Sequence, residues 1–138
     1  MNDIQFPPTG SGTLTISVVD NNGSSRTVLE ASKPFTIEAV WTIDTESARV
    51  LGGRWELSAY VESFGPGFEG QVGPTRLQPL NGNTTYNDAI VVPANTFPDN
   101  PAAPSPGVYK VIVVLLLRNN NLVTDVAAVA EGPLLRIG

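Results

Sequence analysis

Between Val108 and Leu117 lie ten residues of which only Lys110 is charged, and every residue from Val111 onward is aliphatic. A helix that crosses a bilayer needs about 20 apolar residues, so the run is too short for that role. Its valines and isoleucine favour an extended strand instead. Successive strand side chains point to opposite faces. Val111, Val113, Leu115 and Leu117 therefore face a core, while Ile112, Val114 and Leu116 face away from it. A strand apolar on both faces belongs at the centre of a sheet or has its second face covered. The cover is either a neighbouring segment of the same chain or a second subunit, because a contiguous apolar patch usually marks an interaction site. Tyr60, on the outward side of the strand expected next door, joins that patch.

The rest of the chain alternates in the same manner. Leu14, Ile16 and Val18 share one face of a first strand, which Asp20-Asn21-Asn22-Gly23 ends with turn chemistry. After Lys33-Pro34, Phe35, Ile37, Ala39 and Trp41 alternate with Thr36, Glu38, Val40 and Thr42. Trp55, Leu57, Ala59 and Val61 then oppose Arg54, Glu56, Ser58, Tyr60 and Glu62, one face for the core and the other mostly for solvent. Residues 44–53 read as a connection rather than a Gly52-Gly53 hairpin, and no helix with capping signals is expected anywhere. Further strands are expected around Thr75 to Leu80, from Tyr86 to Val92 and from Leu122 to Ala130, with Leu134, Leu135 and Ile137 resuming the last after Gly132-Pro133. Short strands at regular spacing with turns between them predict an all-β sandwich or barrel.

Composition agrees. The chain has 138 residues, the size of one domain, with 13 Gly and 12 Pro spread along it. The expected organisation is one sandwich over 1–138, with an N-terminal arm at 1–10 and a stiff proline-rich connection at 94–106. An arm such as Ile4 to Pro8 is a segment that could dock on a neighbouring subunit. A net charge of −5 with only 8 Lys and Arg opposes binding to phosphate backbones or anionic lipid, so neither nucleic acid nor membrane is an expected partner. The chain has no Cys and no His, which removes disulfides, thiolate metal sites, the best nucleophile and the commonest general base, leaving carboxylates, hydroxyls and a few amines. No cofactor or metal is expected. The start, Met1 to Pro8, lacks a signal peptide's basic residues and apolar run. The expected location is the cytoplasm or a particle assembled inside the cell, a recloned secreted fragment being the other possibility.

Pro106-Gly107-Val108-Tyr109-Lys110-Val111 resembles the corner before the sixth strand of immunoglobulin-like and fibronectin-like domains. The resemblance implies that Tyr109 is the corner tyrosine, that Val111 stands where true immunoglobulins have their second cysteine, and that Trp55 is the core tryptophan. It implies an antiparallel immunoglobulin-like β-sandwich of about seven to nine strands. The missing cysteine pair places the chain with disulfide-free relatives. Such sandwiches host many unrelated functions, so function is argued from sites.

Carboxylate pairs such as Asp44 and Glu46, or Glu62 and Glu69, are what glycosidase chemistry would use, but they read as solvated loop acids. Asp20 to Gly23 has the oxygen donors of a small calcium turn without the ligand ladder of a calcium loop, and reads as an ordinary turn. Phe64 and Phe68, on a Gly-Pro loop, form an apolar patch for a sugar ring or a partner protein, or else fold inward to cap the sandwich. The expectation is therefore a non-catalytic structural or protein-interaction subunit, a homo-oligomer or part of a larger protein assembly, with Ile112, Val114, Leu116, Tyr60, Phe64 and Phe68 as interaction candidates. The alternative is a carbohydrate-binding module built on Phe64 and Phe68, with Glu69 and Gln71 nearby.

Overall fold

The structure is a computed structural model that describes residues 2–4, 10–65, 67–97, 107–120 and 122–138, with only the backbone described at 123 and 125. Two sheets face each other. The first holds β1 (Asn2–Asp3), β2 (Gly12–Val19), β4 (Phe35–Ile43) and β8 (Thr85–Val92), in that order. The second runs β3 (Val28–Leu29), β10 (Leu122–Ile137), β9 (Gly107–Asn119), β5 (Arg54–Ser63) and β6 (Gly70–Gln71), and β7 (Arg76–Pro79) also pairs with β5. All pairings are antiparallel except β3 with β10, which is parallel.

The architecture is an all-β sandwich. The described residues form ten strands rather than seven to nine. The excess comes from two-residue edge strands, too short for a periodicity argument to find. Asn2 and Asp3 pair with Leu14 and Thr13, and Ile4 is buried in the chain's own core. The remainder of the expected arm, residues 5–9, lies outside the described residues, as do 98–106 of the proline-rich connection.

One helix corrects the sequence reading. Residues 44–53 hold α1 (Thr45–Val50), not a plain loop. Asp44, in extended backbone, caps its N-terminus by accepting from the Ser47 backbone N–H at 3.1 Å and from the Ser47 hydroxyl at 2.6 Å. Glu46 in the first turn and Arg49 in the last suit the helix dipole. Asp44-Thr45-Glu46-Ser47 was thus a capping signal in front of a helix too short to show amphipathic period. Gly53 is not a hairpin tip. It leads from α1 into β5 at φ +109°, and a Cβ there would run into the Arg118 carbonyl oxygen.

Both inner faces interdigitate over two aromatic clusters. Trp41 of the first sheet and Trp55 of the second meet edge to face at 6.1 Å, and Tyr86 packs on both at 5.9 and 6.0 Å. Both indole N–H groups are buried with no acceptor among the described residues, a desolvation cost that the ring packing must offset. At the other end Phe97 lies against Phe35, Phe68 and Tyr109, with centroids 6.0, 5.8 and 4.7 Å away. Phe97, read as part of a surface connection, is in fact a core residue at 4% exposure.

Candidate functional site

β9 lies between β5 and β10, with Val111, Val113, Leu115 and Leu117 at 0–1% exposure on the inner face. The register fixes what lies beside the outward residues. Ile112 is flanked by Tyr60 and Glu131, Val114 by Ser58 and Val129, and Leu116 by Glu56 and Ala127. Leu77 of β7 adds to the last row beside Glu56. Tyr60, Val129 and Leu77 are 37%, 56% and 54% exposed, and Ile112, Val114 and Leu116 are half-buried between them. No other element of the described residues packs over this face.

The outer face of the other sheet is polar. Its rows read Thr13, Thr42, Thr85, then Thr15, Val40, Asn87, then Ser17, Glu38, Ala89, and last Val19, Thr36, Val91, so eight of twelve positions are polar. On the second sheet the outer residues of β5 are likewise polar, Arg54, Glu56, Ser58 and Glu62 beside Tyr60, and the apolar part is the strip of Ile112, Val114, Leu116, Ala127 and Val129 along β9 and β10.

Charges on the apolar face are matched. Lys110 Nζ meets Glu131 at 2.9 Å, and Arg118 pairs with Glu56 across the β5–β9 ladder. Of the chain's 8 basic residues, Arg54, Lys110, Arg118 and Arg136 all stand on this face, against Glu56, Glu62 and Glu131. A chain of net charge −5 thus has an almost neutral face here.

The sheet brings Ile112, Val114, Leu116 and Tyr60 together but leaves Phe64 and Phe68 elsewhere. Phe64 is 62% exposed at the end of the sandwich, tied through its N–H to the Val108 carbonyl at 2.9 Å. Phe68 turns inward onto Phe97. With both tryptophans buried, Phe64 is the one strongly exposed ring among the described residues. Sequence reasoning missed Val129, Ala127 and Leu77. From Val126 to Ala130 every residue is apolar, so composition could not tell that Val126, Ala128 and Ala130 point in and Ala127 and Val129 out.

The carboxylates are spent on local structure. The Ser47 hydroxyl, then the Ser11 and Ser47 backbone N–H groups, hold Asp44 down to about 2. Asp20 is lowered by the Ser24 backbone N–H, then by Asn22 and the Arg26 guanidinium at 3.0 Å. Both are held ionised, the opposite of what a general acid needs. Glu46 pairs loosely with Arg49 at 3.8 Å, and Glu69 accepts from the Ser63 N–H at 3.3 Å. Among the described residues no three acidic side chains gather into a metal-binding group. No helix among them is long and apolar enough to cross a membrane.

No protein-family model and no curated protein matches the chain. Solved structures of β-glucosidase from Listeria innocua do align with it. The gluconolactone complex is 13% identical with a TM-score of 0.55, and the glucose complex 12% identical with a TM-score of 0.54. Each alignment covers 94% of this chain but only 16% of the other, so the chain spans a small part of those structures. At such identity the likeness shows the fold alone. AggA, the major subunit of aggregative adherence fimbriae type I from Escherichia coli, aligns at 11% identity over 91% of this chain and 93% of its own, with a TM-score of 0.46, too loose a fit to bear on function.

Proposed function

We propose that this chain is a non-catalytic protein-interaction subunit that associates with a second copy through the outer face of β5, β9 and β10. The reading rests on one observation: a contiguous apolar face, centred on Val114, open on one sheet while the other sheet's outer face is rich in Thr and Ser. Two arguments favour a second copy. At ~3.3 Å per residue and ~4.8 Å between strands, the outer face of β5, β9 and β10 spans on the order of 500–600 Å², the scale that one partner contributes to a small interface between copies. Its matched charges also let two acidic chains approach without the repulsion that their other surfaces impose.

We also read the sandwich as a disulfide-free relative of immunoglobulin-like domains. Support comes from the strand order, β2-β4-β8 opposite β3-β10-β9-β5, and from the burial of Trp55, Tyr109 and Val111 at 0%, 5% and 0% exposure.

Sedimentation equilibrium with Val114→Lys tests the association. An ammonium at the centre of the interface is expected to weaken it by at least about 30-fold, as loss of a central hot spot does. Val40→Lys, on the polar outer face, is expected to change nothing. A parent that stays monomeric at high concentration, or an oligomer indifferent to Val114→Lys, would refute the reading.

A further inference from the structure

Edges decide whether a β-sandwich associates by face or by strand addition, and among the described residues β8 is the longest of the strands that end a sheet. The bond from the Ile43 N–H to the Thr84 carbonyl sets the parity of the β4–β8 ladder. By that parity the backbone groups of Asn87, Ala89 and Val91 point away from β4, toward the open side. An eight-residue row of this kind is a template for a strand from another chain.

Here the row is occupied from the opposite sheet. Gln78 of β7 donates its side-chain N–H to the Asn87 carbonyl at 2.9 Å. The Ala89 N–H donates to the Asp88 carboxylate at 2.8 Å, and Arg76 of β7 pairs with that same carboxylate oxygen at 3.1 Å. Gly73, at φ +70°, lies so close to Ile90 and Val91 that an added Cβ would fall 2.5 Å from the Ile90 Cγ2 and 2.8 Å from the Val91 carbonyl oxygen. Two of the six outward backbone groups of Asn87, Ala89 and Val91 are thus hydrogen-bonded, and Gly73 crowds a third, the Val91 carbonyl.

Asp88 also occupies an unexpected position. Tyr86, Ile90 and Val92 are 3%, 0% and 0% exposed, and Asp88 shares their inward phase opposite Ala39. A valine there would complete a regular apolar face. The carboxylate, 13% exposed at its side chain, interrupts that face instead. A charge pointing inward on an edge strand makes pairing with a further strand costly, because the added strand would desolvate it.

We infer that Asp88, Arg76 and Gln78 form a clasp across the sandwich that withholds the β8 edge from an extended strand of a second copy. Strand addition at the β8 edge is thereby disfavoured. The clasp is independent of the apolar face proposed above.

The test uses the full chain carrying Val114→Lys, so that face association is silent, with Asp88→Val and Gln78→Ala added. A β-branched residue suits the inward position, so thermal stability is expected to hold or rise while the protein forms strand-paired aggregates. Thioflavin T fluorescence should grow at least about tenfold over the Val114→Lys protein, with an intermolecular β band in the infrared. A folded variant that stays at the size and fluorescence of Val114→Lys alone overturns the clasp, whatever Val114→Lys did to the parent. Should the variant not fold, amide exchange of the unaltered chain decides. The Ala89 amide, bonded to a carboxylate, is expected to exchange at least about tenfold more slowly than an exposed loop amide. Exchange at the loop rate overturns it.

Discussion

Truncating Phe97 to alanine tests whether its ring is part of the core or of a surface connection. A surface connection would tolerate Phe97→Ala within about 0.5 kcal/mol. In the structure the ring is buried, with three aromatic neighbours at 4.7 to 6.0 Å. Removing a buried phenylalanine costs about 3–5 kcal/mol, the upper part applying where rigid neighbours cannot collapse into the space. Phe35, Phe68 and Tyr109 are such neighbours, and each ring pair adds to the loss. Domains of this kind are stable by only about 5–15 kcal/mol, so the variant loses a large fraction of the total. At ~2.1 cal/mol/K per residue, the unfolding entropy of 138 residues is roughly 290 cal/mol/K, and the midpoint falls by about 10–17 °C. Urea unfolding followed by circular dichroism is the assay, with the midpoint moving and the slope unchanged. Phe64→Ala, at a 62% exposed ring, is the control and should stay near the parent. A loss below about 1 kcal/mol for Phe97→Ala would mean that the ring is not seated in the core, and the aromatic closure of that end of the sandwich would be refuted.

Gly53→Ala is expected to cost about 2–4 kcal/mol, combining a positive φ with collision against the Arg118 carbonyl. Gly52→Ala, with nothing within 4 Å, should be near neutral in the same urea titration. Asp44 makes stability depend on acid. Its folded value of about 2 lies below the ordinary 3.8, so its contribution is full above the ordinary value and fades as pH falls through about 2. Asp20 acts in the same direction. Urea midpoints measured from pH 5 to pH 2 should decline less steeply for Asp44→Asn than for the parent. Equal slopes would show that the cap carboxylate is not what titrates.

Sequence alone determined the strands whose two faces differ in chemistry. Arg54 to Glu62 alternates so regularly that a register slip of one residue would bury two glutamates, so its core face could be read without coordinates. The long run around Val113 was legible as a strand apolar on both sides, and so was the question of what covers its outer residues. Tertiary structure decided everything that depends on long-range partners. Phe97 sits in a segment whose prolines read as surface, and its burial follows from where Phe35 and Tyr109 happen to be. Asp88 reads as a break in an apolar strand until β7 brings Arg76 to it from the other sheet. Val129 and Leu77 become part of one apolar face only once pairing sets them beside Val114 and Glu56. Periodicity is a property of neighbours along the chain, whereas the open face and the closed edge arise from pairings between strands far apart in sequence. The same apolar run that fixes β9 in the core leaves Ile112, Val114 and Leu116 half-buried on the outer side, and only strand pairing shows which residues flank them there.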